Sequence, residues 1–218
     1  MSQEIKPIEL AGVNCYLIKT DDGYVLIDTG FSFGRGGLKK ALEKEGCRPG
    51  NLKLIIITHG DFDHTGNCAY LQKKYGTRIA VHSGESEVIE TGDMTLSRKQ
   101  KQGLFARKLL RFFGLIVYSR FEPDIYLEDG QELSEYGLDA KVLHISGHST
   151  GSIGVLTADG DLFCGDLFKS GTEPVLFNID DSRAANGSVK KLKSLKIGTV
   201  YPGHGKPFQL EQFIKSNR

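Results

Sequence analysis

Thr58-His59-Gly60-Asp61-Phe62-Asp63-His64-Thr65-Gly66-Asn67 follows directly on the apolar run Leu54–Ile57. An uninterrupted apolar run of that length reads as a buried strand, so the polar residues emerge at a strand end. Four side chains able to ligate a metal stand within six residues: His59, Asp61, Asp63 and His64. If the chain stays extended beyond the strand, residues 59, 61 and 63 share one face, because side chains alternate along a strand. His64 then approaches from a turn. Carboxylates crowded on one face repel and desolvate each other, and a pair of bound cations removes that cost. The competing reading, a polar loop closing a strand, leaves the crowding unexplained.

Around this stretch the chain alternates between strands and helices. Asn14–Lys19 and Tyr24–Asp28 are short apolar runs joined by Thr20-Asp21-Asp22-Gly23, a hairpin signal. A helix is expected over Leu38–Glu45, stopped by Gly46, and another from Thr65 or Asn67 to Gly76. Arg78–Val81, Asp139–Ile145, Ser152–Thr157, Asp161–Cys164 and Thr199–Tyr201 read as further strands. Asp180–Ser182 offers a cap for a helix carrying Val189, Leu192 and Leu195, and a last helix is expected over Leu210–Lys215. This alternation points to an α/β arrangement.

Three polar residues recur in the same setting, a glycine-flanked turn or bend at a strand end: His148 in Ser146-Gly147-His148, Asp166 in Cys164-Gly165-Asp166, and His204 in Pro202-Gly203-His204-Gly205. Glycine lets the backbone approach closely there and leaves room for an imidazole or carboxylate to point inward. A single loop histidine is more often structural. Three such positions beside the first cluster argue for one shared site.

At this point the chain resembles the metallo-β-lactamase-fold superfamily of hydrolases. Asn14-Cys15-Tyr16-Leu17-Ile18, Leu26-Ile27-Asp28-Thr29-Gly30, the His59–His64 motif, Gly147-His148, Gly165-Asp166 and Gly203-His204 occur in the family's order and span nearly the whole chain. The resemblance implies an αββα sandwich, two mixed sheets flanked by helices, in a single domain over residues 1–218 with two metals at the strand ends. It implies that His59, Asp61 and His148 hold the first metal, that Asp63, His64 and His204 hold the second, and that Asp166 bridges both. Asp28 matches the family's buried aspartate, which braces the ligand loop without binding metal.

One departure matters. The usual pattern is His-x-His-x-Asp-His, and here Asp61 stands at the second histidine. Asp61, Asp63 and Asp166 against two divalent ions leave a formal charge of +1, where the usual pattern leaves +2. A less positive site polarises its water less, so the nucleophile forms at higher pH. An oxygen donor also suits harder ions, so zinc is the first expectation while iron or manganese stays open. The flavodiiron branch has an acidic residue at the same place, but its added flavodoxin domain does not fit within this chain.

The expected activity is that of a dinuclear metal-dependent hydrolase. A hydroxide held by the metals attacks an ester, thioester, lactone or related small substrate, as in glyoxalase II-like and lactonase-like enzymes. Asp63 orients the nucleophile and carries a proton. Two alternatives remain: an iron-dependent redox or sulfur-metabolising enzyme on the same fold, and a metal-bound binding module without turnover. His82 and His144 are expected to be structural or to support the ligands from behind, and Cys164 to pack as a small apolar group.

The 218 residues carry 28 basic and 27 acidic side chains, a balance that gives no global reason to expect nucleic acid or a membrane surface as partner. Between Leu96 and Phe121 the bias is local, with Arg98, Lys99, Lys101, Arg107, Lys108, Arg111 and Arg120 and no acidic residue. Together with the amphipathic run Leu104–Phe113 this suggests a basic helical insertion or lid over about 83–123. Its two readings are a solvated surface helix and a lid whose basic side faces an anionic small-molecule substrate, a partner or a membrane surface. No signal peptide or bilayer-spanning run is visible, and Cys15, Cys47, Cys68 and Cys164 are widely spaced, so free thiols and a cytoplasmic location are the expectation. The oligomeric state is not legible.

Overall fold

A computed structural model describes residues 3–92 and 120–217. Among the described residues, twelve strands form two six-stranded mixed sheets. The first sheet runs in chain order: β1 (Ile5–Leu10), β2 (Val13–Thr20), β3 (Gly23–Ile27), β4 (Leu52–Ile56), β5 (Arg78–His82) and β6 (Ile125–Leu127). Its first three strands are antiparallel neighbours, and β3 to β6 pair in parallel. The second sheet has the order β12 (Phe208–Gln209), β11 (Thr199–His204), β9 (Leu162–Ser170), β8 (Ile153–Thr157) and β7 (Ala140–His144), with β10 (Pro174–Leu176) on β9. In it only β9 and β11 run parallel.

Each face of each sheet is apolar, which forces a layered packing. Between the sheets lie Tyr16, Ile18, Val25, Ile27, Leu54 and Ile56 against Val142, Ile153, Val155 and Phe163. The outer face of the first sheet is covered by α1 (Arg35–Lys44) and α3 (Cys68–Tyr75), through Leu38, Leu42, Leu71 and Tyr75. The outer face of the second is covered by α5 (Ser182–Lys193) and α6 (Leu210–Ser216), through Ala185, Leu192 and Phe213. The result is the αββα sandwich, two mixed sheets between helices. Phe163 is fully buried and packs on Tyr16 at 5.1 Å and Tyr201 at 5.0 Å between ring centres. Truncating such a ring to alanine costs about 3–5 kcal/mol.

Helix ends follow the local chemistry. Asp181 caps α5 by accepting from the Arg183 and Ala184 N–H groups. Gly76 closes α3 in the left-handed conformation. Two differences from the sequence reading bear on the site. The chain stays extended only through Asp61, because α2 (Phe62–Thr65) begins at the next residue, so Asp63 sits on a helical turn and not on a continued strand. Strand β9 also runs past Gly165-Asp166 to Ser170, which puts Asp166 inside a strand.

All four cysteines are buried free thiols. No helix among the described residues is long and apolar enough to cross a membrane. The expected insertion opens with the 3-10 turn Ser83–Glu85 and α4 (Ser86–Thr91). Six of its seven basic residues, Arg98, Lys99, Lys101, Arg107, Lys108 and Arg111, lie outside the described residues.

Candidate metal centre

The ligand-type residues reach one place from five segments, all at one end of the sandwich. His59 and Asp61 leave the end of β4, Asp63 and His64 lie on α2, and His148 lies in the turn between β7 and β8. Asp166 comes from β9 and His204 from the end of β11. A main-chain hydrogen bond from Ile153 to the Thr58 carbonyl, 2.9 Å, joins the two sheets directly behind the cluster. Between β9 and β11 the register shifts on both sides of Pro202, an irregularity of the kind that re-aims a side chain. Gly203 makes the close approach possible: a Cβ there would lie 2.3 Å from Asp166 Oδ1 and 2.7 Å from His64 Cε1.

The donor atoms fall into two linked groups. His59, Asp61 and His148 form one, and Asp63, His64 and His204 form the other. In the first, His148 Nε2 is 3.3 Å and His59 Nε2 3.8 Å from Asp61 Oδ2. In the second, Asp63 Oδ2 is 3.4 Å from His204 Nε2 and 3.8 Å from His64 Nε2. Asp166 stands between them. Its Oδ2 is 3.3 Å from His204 Nε2 and 3.9 Å from both His59 and His148 Nε2, and its Oδ1 is 3.4 Å from His64 Nε2.

Hydrogen bonds behind the rings fix which nitrogen faces inward. His64 Nδ1 meets Asp28 Oδ2 at 2.8 Å, and His59 Nδ1 meets the Thr58 hydroxyl at 3.0 Å. His204 Nδ1 meets the Gly12 carbonyl at 2.7 Å, and His148 Nδ1 the Phe177 carbonyl at 3.3 Å. Asp28 is buried and also accepts from the Thr58 N–H and hydroxyl, at 2.9 and 2.8 Å. Each Nδ1 faces an oxygen and carries its proton there, which leaves Nε2 as the atom turned toward the cluster. Four Nε2 atoms and three carboxylates therefore converge.

That donor set fits two metal ions. His59 Nε2, His64 Nε2 and Asp166 Oδ1 are buried and make no hydrogen bond, a costly condition unless something else engages them. Donors bound tetrahedrally at about 2.0–2.2 Å lie about 3.3–3.6 Å apart, close to the separations observed. Burial pushes the His59 imidazole well below its ordinary range, helped by the neighbouring His64 and His148 rings, which keeps it neutral as a ligand must be. Burial works against charge on His64 as well, but Asp166 and Asp28 overcome it and hold that ring well above its ordinary value. His204 is carried up to about 9: burial opposes the charge, and Asp166 and Asp63 outweigh it. Asp166 is held well below the usual carboxylate range, since His64 and His204 overcome the burial penalty. Without cations, protons on His64 and His204 balance the carboxylates.

The remaining residues sort around this centre. His82 and His144 stack on each other, ring centres 4.3 Å apart and planes 9° from parallel. His82 Nδ1 accepts from the Gly84 N–H and His144 Nε2 meets the Thr150 carbonyl. They join the sheets beside the cluster and do not enter it. Cys164 is buried. Residues the sequence reading did not single out also touch the site: Gly12, Thr58 and Phe177 as acceptors behind the rings, Glu85 beneath the loops, and Lys169 at the rim. Lys169 is in register with His204 on β9, and its ammonium lies 4.7 Å from the centre of the Phe177 ring, which packs 5.2 Å from the His204 ring.

Fold and site together define a class, an αββα protein built around a His- and Asp-lined centre at one end of the sandwich. The model for the metallo-beta-lactamase superfamily matches residues 8–204. The chain belongs to that superfamily and is an enzyme of its metal-dependent hydrolase class. It is 28% identical to the hydroxyacylglutathione hydrolase GloC of Haemophilus influenzae, over all of this chain and 97% of that one. It is 27% identical to the acyl-coenzyme A thioesterase MBLAC2 of Bos taurus, over 93% of this chain and 76% of that one. Among solved structures, TTHA1623 in a di-iron-bound form superposes with a TM-score of 0.77 at 28% identity, covering 97% of this chain and 98% of that one.

Proposed function

We propose that this chain is a dinuclear metal-dependent thioesterase acting on acyl thioesters of an anionic thiol. The observation that carries the reading is the convergence of four imidazole Nε2 atoms and three carboxylates, with every Nδ1 turned onto an oxygen. His59, Asp61 and His148 would hold a first ion and Asp63, His64 and His204 a second, with Asp166 between the two trios. Such ions would supply Lewis acidity, easing deprotonation of water and offsetting the charge that builds on a carbonyl oxygen. Asp61 puts a hard oxygen donor where the usual pattern has an imidazole, which suits iron or manganese as well as zinc. A structural relative has been solved in a di-iron-bound form, so iron is among the ions to test.

Asp63 is the proton carrier. Its side chain is 16% exposed, against 4% for Asp166, so it sits at the open edge of the cluster where a water can meet it. It takes one proton from the attacking water as the oxygen bonds to the thioester carbon. The carbon–sulfur bond then breaks, and that proton goes to the departing thiolate, giving a carboxylic acid and a thiol. Lys169, exposed beside Phe177 and His204, is placed to meet an anionic group on the thiol portion.

Thioesters are favoured over lactones and phosphoesters because two relatives covering most of this chain are named as thioester hydrolases. The test is a panel of glutathione and coenzyme A thioesters, esters and lactones assayed at known metal content. Turnover is expected on thioesters, with Lys169→Ala raising KM several-fold and leaving kcat nearly unchanged. Turnover confined to lactones or esters overturns the substrate class.

A further inference from the structure

Glu85 is 1% exposed, and its carboxylate is engaged by three donors drawn from two distant loops. Oε2 accepts from the Gly60 N–H at 2.9 Å. Oε1 accepts from the Gly151 N–H at 2.9 Å and from the Ser149 hydroxyl at 2.6 Å. Gly60 lies between His59 and Asp61, while Ser149 and Gly151 follow His148. The donors thus flank all three members of the first ligand trio, and none of them belongs to the second.

We propose that Glu85 is the positioning residue of the first trio, clasping the His59–Asp61 loop to the His148 loop and so setting the distance between their ligand atoms. The inference rests on the reading that the trio holds a cation. The two loops leave different sheets, one from β4 and the other between β7 and β8, so no local turn geometry sets their separation. The clasp stands behind a pair of donors, Asp61 Oδ2 and His148 Nε2, that are 3.3 Å apart.

The neighbours of Glu85 are shaped around it. A Cβ on Gly60 would lie 2.7 Å from Glu85 Oε2, and one on Gly151 would lie 2.8 Å from Glu85 Cγ. The carboxylate therefore sits in a slot between two glycines. Each oxygen faces a main-chain N–H, Gly60 on Oε2 and Gly151 on Oε1, a pair that only an acceptor on both oxygens can satisfy. Glutamine has nearly the same volume but turns an NH2 onto one of those donors whichever way it is flipped, which releases one loop. The second trio is braced by other groups, Asp28 behind His64 and the Gly12 carbonyl behind His204.

Cobalt(II) titration of the metal-free protein, followed by visible absorption, tests this. The wild-type chain is expected to take up two equivalents. Glu85→Gln is expected to bind one equivalent as the wild type does and the other about 10- to 100-fold more weakly. In a His204→Ala background, which disables the second trio, the same substitution is expected to weaken the remaining equivalent. Ser149→Ala removes one donor and leaves the carboxylate in place, so it gives a smaller loss at the same equivalent and carries the test if Glu85→Gln does not fold. Both equivalents bound with wild-type affinity, or both weakened alike, overturns the positioning role. A wild-type chain that takes up no cobalt sinks the metal-centre reading itself.

Discussion

Asp28→Asn changes one atom of a buried group and should disable one half of the centre. The Asp28 carboxylate accepts from the Thr58 N–H, the Thr58 hydroxyl and His64 Nδ1. An asparagine has one acceptor oxygen. With that oxygen toward Thr58, its NH2 meets His64 Nδ1, and the ring relieves the clash by moving its proton to Nε2, the atom that faces Asp63 and Asp166. With the amide flipped, the NH2 meets the Thr58 N–H instead. In the first case ligation must reverse that proton shift and restore the clash, and in the second one buried donor faces another, each at a cost of about 1–3 kcal/mol. Charged against ligation by His64, that is about 5- to 150-fold in affinity, since about 1.4 kcal/mol corresponds to tenfold. The ion of the second trio should weaken by this amount. The ion of the first trio, linked to Asp28 only through the Thr58 hydroxyl on His59, should weaken less. Chelator competition against the purified variant measures both, with metal-free thermal melting as the folding control. An Asp28→Asn protein that holds two ions with wild-type affinities refutes the argument that the carboxylate sets the His64 tautomer. Glu85 and Asp28 thereby make opposite predictions about which ion is lost first.

Two further predictions follow from the same geometry. Gly203→Ala places a methyl 2.3 Å from Asp166 Oδ1, so turnover and metal content should both fall by about tenfold or more; a fully loaded, fully active variant would mean that Asp166 does not bridge. In the metal-free protein His204 keeps its proton up to about pH 9, so a cation arriving at pH 7 must displace it. Proton release on loading should be measurable in weakly buffered solution, and affinity should rise from pH 7 toward 9 and flatten above. The same shift, from an ordinary 6.5 to about 9, stabilises the metal-free fold fully below about pH 6.5, and that contribution fades as pH rises through 9. Loading at pH 7 without proton release would contradict it.

How much of this was legible in the sequence depended on the range of the interactions. The strand before His59 was plain because Leu54–Ile57 is unbroken, and the seven ligand-type residues stood out because each follows or interrupts a short apolar run. The position of Asp63 was less so: nothing in Asp61-Phe62-Asp63 marks where extended chain becomes helix, and the structure makes the change at Phe62. Pro7 weakens the strand signal of Ile5–Leu10, yet β1 lies at the sheet edge, where a missing N–H is tolerated. The reach of β9 beyond Gly165 was hidden by the polar residue that follows. Glu85 was beyond local reading altogether. Its partners are 25, 64 and 66 residues away, and it opens a segment that read as an insertion.

On the proposed reading the cluster around Asp166 holds two metal ions. Elemental analysis of the chain purified without added metal is the direct test. About two transition-metal ions per chain are expected, with a fall to one or none and loss of turnover in His59→Ala and Asp166→Ala. Wild-type protein that turns over thioesters with no bound metal, or a His59→Ala protein that stays metal-free and fully active, would contradict it.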